Sequence, residues 1–172
     1  MSLDADLRIA LLRAARAAVS SPQAVPEALD ALVTCLRPHF PISRVSLRVL
    51  DVAEDRLQIC GVWSDGETAV RPGVTIPIAA TSFLELEREG RSLLRRFDEL
   101  RDRPSLLDQV LHDEGLQCWI VIPLRRGLEI LGTLNLAGRS PDAFAEADLP
   151  FFDDLATEVG SSLLAIAGGF GS

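Results

Sequence analysis

Hydrophobic positions along the chain follow two periods. Leu7, Leu11, Ala14 and Ala18, then Val25, Leu29, Leu32, Val33 and Leu36, recur at the spacing of one helical face, which predicts two helices within residues 1–40. Ser20-Ser21-Pro22 separates them. Ser21 is placed to cap the second helix with Pro22 at its first position, where a missing N–H costs nothing, and Pro38 and Pro41 are placed to end it. From Arg44 the period drops to two. Val45, Leu47 and Val49 alternate with Arg44, Ser46 and Arg48, and Leu57, Ile59, Gly61 and Trp63 alternate with Gln58, Cys60 and Val62. Such alternation marks half-buried strands, and the polar stretch 51–55 between them has hairpin length, so antiparallel pairing is expected. A third strand within 69–78 contains Pro72, Gly73 and Pro77 and is expected to be short, irregular and at an edge.

Helical spacing then returns. Ser82-Phe83-Leu84-Glu85 has the form of a capping box, and Gly90 is placed to close that helix. After the apolar pair Leu93-Leu94, residues 105–113 present Leu106, Leu107, Val110 and Leu111 on one face before Gly115. The strongest strand signals come last, at Cys118-Trp119-Ile120-Val121-Ile122-Pro123 and Ile130-Leu131-Gly132-Thr133-Leu134-Asn135-Leu136, joined by a tight turn at Arg125-Arg126-Gly127. Pro123 is expected to stop pairing at a strand end, and Gly132 to permit close approach of another backbone. A final helix over 145–167 carries Phe152, Leu155, Val159 and Ile166 on one stripe, with Phe152, Val159 and Ile166 at heptad steps. That stripe either packs on the sheet of its own domain or meets a partner subunit. The second option predicts a homodimer through the terminal helices, with Leu7, Leu11, Phe152, Leu155, Val159 and Ile166 at the interface. The whole of 1–172 reads as one domain, with sheet and inserted short helices over 43–137 and a linker or chain edge at 168–172.

Composition narrows the function. With 172 residues, 48% of them hydrophobic, the chain can bury one core without staples. A net charge of -8 opposes the clustered Lys and Arg that nucleic acid needs, so no direct nucleic-acid binding is expected. The most apolar stretch, 149–167, is interrupted by Asp153, Asp154 and Glu158, so no membrane span is expected. The first residues carry acidic Asp4 and Asp6 and lack a secretory pattern, which gives a cytoplasmic address by default. Cys35, Cys60 and Cys118 are too few and too widely spaced for a disulfide framework or a metal clip, and with His39 and His112 as the sole histidines no metal site is expected.

Several stretches together resemble the GAF family. Gly73-Val74-Thr75-Ile76-Pro77 looks like its Gly-x-x-x-Pro entry to the ligand-side helix. The run Gly115 to Leu124 followed by Ile130 to Leu136 is similar to its most recognisable strand pair, and Phe144-x-x-x-Asp148 to its final helix entrance. The Ala-Gly-Arg-Ser-Pro-Asp-Ala-Phe stretch from Ala137 is similar to GAF modules of bacterial sensor kinases and of activators of the formate-hydrogenlyase regulator type. The resemblance covers nearly the whole chain. It implies an α+β fold, an antiparallel sheet of five or six strands with the N- and C-terminal helices on one face and short helices on the other. It further implies a non-enzymatic sensory module that binds a small molecule and signals through its terminal helices to an output domain in cis, a kinase or a transcription activator. A ligand-free dimerisation module is the alternative.

The candidate pocket follows from alternation. Ile130, Gly132, Leu134 and Leu136 form a wholly apolar row, whereas Leu131, Thr133, Asn135 and Ala137 include two polar groups. We pair the second row with Trp119 and Val121, because an apolar wall with few hydrogen-bonding groups is typical of small-molecule sites. The assignment depends on register, and the opposite face is the alternative. Ser46 and Leu107 join the candidate site, and Trp63, Thr81, Ser82 and Phe83 would close its far side if the short helix lies over the sheet as in the family. The cyclic-nucleotide-binding branch follows its Asn with Lys and its Phe-x-x-x-Asp with Glu. Here Leu136 and Leu149 stand at those places, so half of that pattern is missing. No Cys-His pair is present to anchor a bilin, and neither haem nor another cofactor is expected. The enzymatic branch, free methionine-sulfoxide reductase, clusters cysteines on pocket loops, a pattern that Cys35, Cys60 and Cys118 do not match; no catalytic residue is expected.

Overall fold

The strand-forming stretches pair into one antiparallel sheet. A computed structural model describes residues 3–22, 24–100 and 103–168. In chain order it contains α1 (Ala5–Ala18), α2 (Val25–Leu36), β1 (Arg44–Asp51), β2 (Arg56–Ser64), β3 (Thr75–Pro77), α3 (Phe83–Glu89), β4 (Leu93–Arg96), α4 (Phe97–Leu100), α5 (Leu106–Asp113), β5 (Cys118–Arg126), β6 (Glu129–Gly138) and α6 (Leu149–Ala167). The strands lie in the order β3-β2-β1-β6-β5-β4, and every neighbouring pair is antiparallel. The fold is the α+β sandwich that the sequence implies. Beyond Gly168 the expected linker lies outside the described residues.

Local chemistry sets the helix ends. The Asp4 carboxylate accepts the Leu7 N–H at 2.8 Å and opens α1. α2 starts three residues later than Ser21-Pro22 suggests: Ala24 is its N-cap and Pro26 occupies its first turn, so the proline that suits a helix start is the second one. At α5 the capping box is complete, with Ser105 Oγ accepting the Asp108 N–H at 3.1 Å and Asp108 Oδ2 accepting the Ser105 N–H at 2.8 Å. At α3 the expected box does not form. Thr81 Oγ1 accepts the Phe83 N–H instead, and Glu85 turns to Arg95 at 2.8 Å. Gly90 at φ 70° and Gly115 at φ 87° end α3 and α5 in the left-handed region. Before α6, Asp148 accepts the Ala145 N–H at 2.9 Å.

α1, α2 and α6 cover one face of the sheet. Phe152, Leu155 and Val159 of α6 are fully buried against β5, β6 and α2, in one cluster with Leu29, Leu47, Ile120 and Leu134. Phe152, Leu155 and Val159, expected at a subunit interface, face the chain's own sheet, because the apolar row of β6 and the stripe of α6 bury each other. Leu11 is buried with them, while Leu7 and Ile166 are half-buried. Rings of Phe40, Phe144, Phe151 and Phe152 pack with centroids 5.0 to 6.3 Å apart at the mouth of this layer. Ion pairs Arg8–Asp154 and Arg16–Glu158 run along the α1–α6 seam.

Two bulges break the simple alternation. β1 pairs Leu47 with Gly61 but Arg48 with Ile59, so Cys60 is the extra residue; β5 pairs Leu124 with Gly132 but Arg125 with Ile130, so Leu131 is another. After each bulge the faces exchange. Trp63 therefore packs against the helical layer, with the Arg37 guanidinium 5.2 Å above its ring, and not on the candidate pocket face. Leu131 moves to the helical side and Ile130 to the other. Pro123 does not end its strand; β5 continues to Arg126, and proline is tolerated because β4 has already ended opposite Val121.

The cysteines also follow from this layering. Cys60 and Cys118 are buried in the helical-side core, and burial pushes the Cys60 thiol up to about 11 and raises that of Cys118. From the ordinary value of 9.0 that lowers the Cys60 thiolate fraction about 100-fold. Iodoacetamide at pH 8 is expected to label half-buried Cys35 first, with Cys60 and Cys118 protected until denaturant is added. Peptide mass spectrometry along a labelling time course checks this, and early labelling of Cys60 would contradict the burial.

Candidate functional site

The other face of the sheet is floored by alternate residues of its central strands. β1 contributes Arg44, Ser46 and Arg48; β6 contributes Thr133, Asn135 and Ala137; β5 contributes Trp119 and Val121. Register sets Ser46 and Val121 on either side of Asn135, and Arg48 opposite Thr133. The short helices form the roof. Phe83 and Leu86 of α3 and Leu111 of α5 join Trp119, Val121 and Ala137 in a second, smaller core. Between roof and floor lies a cavity of about 10 Å³, bounded by Arg44, Arg48, Ser82, Asp108, Trp119 and Asn135 among others. It has room for about one water.

Outside the roof, an open cleft of about 600 Å³ shares Ser82 and Ser105 with the cavity. Arg95 lines the cleft and Asp108 the cavity, and the two meet at 3.1 Å while Arg95 also binds Glu85 at 2.8 Å. This pair forms the wall between the two spaces.

The cavity floor is polar in an unusual way for so enclosed a place. Arg44 and Arg48 are 2% and 4% exposed. The Nε atoms of both, Ser46 Oγ and Asn135 Oδ1 are enclosed without a hydrogen-bond partner. Arg44 Nε lies 3.8 Å from Glu114 Oε1, close enough for attraction but too far for a hydrogen bond. The Arg48 side chain has neither a hydrogen bond nor an ion pair among the described residues. Burial, with the nearby charge of Arg44, lowers its pKa to about 9, and Asp108 opposes the shift. Asp108 is already held by Arg95 and the Ser105 N–H. The Asn135 amide group donates to Thr133 Oγ1 at 3.0 Å and to the Ser46 carbonyl at 3.4 Å, so half of this side chain holds the sheet and its oxygen is left over.

Of the ten residues singled out in the sequence, Ser82, Leu107, Trp119, Val121 and Asn135 border the cavity. Ser46 and Thr133 sit beside Asn135, buried on the same floor. Thr81 borders the outer cleft, Phe83 is packed into the small core, and Trp63 is on the opposite face. Sequence reasoning does not single out Arg44, Arg48, Ser105 or Asp108. The arginines alternate with Val45 and Leu47, which reads as a solvated strand face; the usable signal is that a central strand roofed on both sides has no solvated face. Cys35, Cys60 and Cys118 are absent from the cavity lining. Among the described residues no cluster of His, Cys, Asp and Glu is placed to hold a metal ion, and no helix is long and apolar enough to cross a membrane.

This architecture recurs in known proteins. The GAF domain of a two-component sensor histidine kinase from Bacillus halodurans superposes with a TM-score of 0.69 at 18% identity, over 83% of this chain and 95% of that one. The GAF domain of a phosphoenolpyruvate-protein phosphotransferase from Coxiella burnetii gives 0.74 at 17% identity, over 94% and 95% of the two chains. A free methionine-R-sulfoxide reductase from Neisseria meningitidis, in complex with its substrate, gives 0.71 at 16% identity, over 96% and 94%. At these identities the likeness is one of fold. No curated protein sequence matches the chain. The family model described as GAF domain matches residues 24–163. With six antiparallel strands, a layer of long helices and a roofed polar floor already described, that match over most of the chain makes this protein a member of the GAF family, whose domains are generally non-catalytic regulatory and sensory modules.

Proposed function

We propose that this GAF domain binds a small molecule beneath its short-helix roof and passes the occupancy to its terminal helices, so regulating an output domain, a kinase or a transcription activator, in a signal-transduction protein. The observation that carries this reading is the group of unpartnered buried polar atoms on the cavity floor, since buried polar groups are normally satisfied. The packing at Gly132 supports a route to the helices. A Cβ there would stand 2.5 Å from the Arg48 carbonyl oxygen and 3.2 Å from Leu164 of α6, so the floor strand and the long helix are packed against the same point. A ligand shifts the helices only as far as it prefers one arrangement over another.

A melting-temperature screen of nucleotides, nucleosides, amino acids and organic acids tests the binding step, followed by hydrogen exchange with any stabilising compound. Stabilisation together with altered exchange in α1 or α6 is the expected result. Flat melting temperatures across the whole screen, or exchange changes confined to the roof, would refute the reading. The alternative of a ligand-free homodimer keeps a narrower surface than the sequence suggests: the outer side of α1, where Ile9 is 50% exposed beside exposed Ala10 and Ala14. Light scattering that finds a monomer at high concentration removes it.

A further inference from the structure

The charge balance of the cavity identifies the kind of molecule that completes it. Two guanidinium groups, Arg44 and Arg48, stand on the same face of β1 on either side of Ser46, more than nine-tenths buried, and the charge of Arg44 disfavours that of Arg48. The acidic groups nearby are committed elsewhere. Asp108 is held by Arg95 and the Ser105 backbone, Glu85 by Arg95, and Glu114 reaches Arg44 only at 3.8 Å while also accepting the Ala69 N–H at 3.3 Å. Arg48 is left without an ion pair among the described residues, Asp108 attracting it only from beyond ion-pair distance. Native proteins as a rule pair buried cations, because an unpaired one is costly to desolvate. Ser46 Oγ adds a free hydroxyl donor, whereas Asn135 Oδ1, its amide nitrogen already bonded, is a free acceptor.

Resting on the sensory reading above, the geometry points to a small organic oxyanion that also carries a hydroxyl or amine donor: its anionic group lies on Arg48 and Arg44 with the Ser46 hydroxyl, and its donor meets Asn135 Oδ1. Trp119 and Leu107 supply the apolar walls. A cavity of about 10 Å³ cannot hold such a molecule with the roof as it stands. Entry is from the 600 Å³ cleft, and its obstacle is the Arg95–Asp108 pair, which separates cleft from cavity. Arg88 and Arg103 on the cleft rim suit an approaching anion. Opening the wall moves α5, which carries Asp108, and so couples occupancy to the roof.

The experiment uses L-malate, succinate, inorganic phosphate and the neutral malamide on the full chain, read by melting temperature and by titration of Trp119 fluorescence in Trp63→Phe, a residue on the opposite face. Malate is expected to stabilise the protein and to bind more tightly than succinate, which lacks the donor; malamide is expected to do nothing. Arg48→Met is expected to weaken malate by about 30-fold or more and, without ligand, to melt at or above the wild-type temperature, because the uncompensated charge is gone. Arg48→Gln replaces it if the methionine variant does not fold. Malate binding that survives loss of Arg48, equal binding of malamide, or no response to malate, succinate or phosphate would overturn the oxyanion assignment. If neutral compounds of the wider screen still stabilise the protein, the sensory reading stands and this assignment alone falls; if nothing does, both fall.

Discussion

Val159→Asp is expected to unfold the domain and not to separate two subunits. Val159 lies at heptad steps from Phe152 and Ile166, the pattern of a helix seeking a partner, but its side chain is 0% exposed within one chain. A carboxylate there would stand, out of reach of solvent, in the apolar cluster that holds Leu155, Leu163 and the inward rows of β5 and β6. The loss of apolar burial and the unpaired charge together cost about 3–5 kcal/mol or more, against a total stability of about 5–15 kcal/mol for an ordinary domain. Circular dichroism with a urea titration checks this. Val159→Ala, which adds no charge, should cost only about 1–3 kcal/mol and give a folded control. A Val159→Asp protein that melts like the wild type while its mass in solution halves would put the stripe at a subunit interface.

Gly132→Ala should cost more than a surface glycine replacement, through crowding of the backbone. The added Cβ would stand 2.5 Å from the Arg48 carbonyl oxygen, below any ordinary contact, and that oxygen belongs to a strand of the same sheet and cannot swing away. Relief requires β1 and β6 to separate where Arg48 enters the cavity, at about 1–3 kcal/mol and occasionally more. The same displacement moves the Arg48 backbone, so Gly132→Ala is expected to disturb ligand response as well as stability. Urea titration gives the first effect and the melting-temperature response to malate the second. Gly127, where an added Cβ would meet nothing within 4 Å but φ is 61°, provides a contrast: Gly127→Ala is strained by its turn conformation alone and should leave the ligand response unchanged.

Element types were legible because they depend on near neighbours. The helical spacing of α2 and α6, the alternation of β1, β5 and β6, and the glycine stops at Gly90 and Gly115 are all written within a few residues of each other. So was the polar row of β6, since Thr133 and Asn135 alternate with Leu134 and Leu136 beyond the bulge at Leu131. The bulges themselves were not legible. An extra residue at Cys60 depends on how β2 lies beside β1, and it sent Trp63 to the far face while its own alternation pointed to the near one. The α3 cap depended on a rival as distant as Arg95, which drew Glu85 away from the backbone it was spaced to meet.

The site divides along the same line. Its apolar wall and Asn135 could be read from one strand pair, but its charge could not, because Arg44 and Arg48 look solvated until α5 is laid over them. What the chain's own order determined is the set of elements and their amphipathic faces, since propensity, capping and periodicity act over a turn or a strand. What only the tertiary structure decided is which faces meet: the α6 stripe on its own sheet, and two arginines beneath a roof, of which Arg48 has no ion pair among the described residues. Burial and electrostatic pairing act between residues far apart in sequence, and the register that brings them together is a property of the assembled sheet.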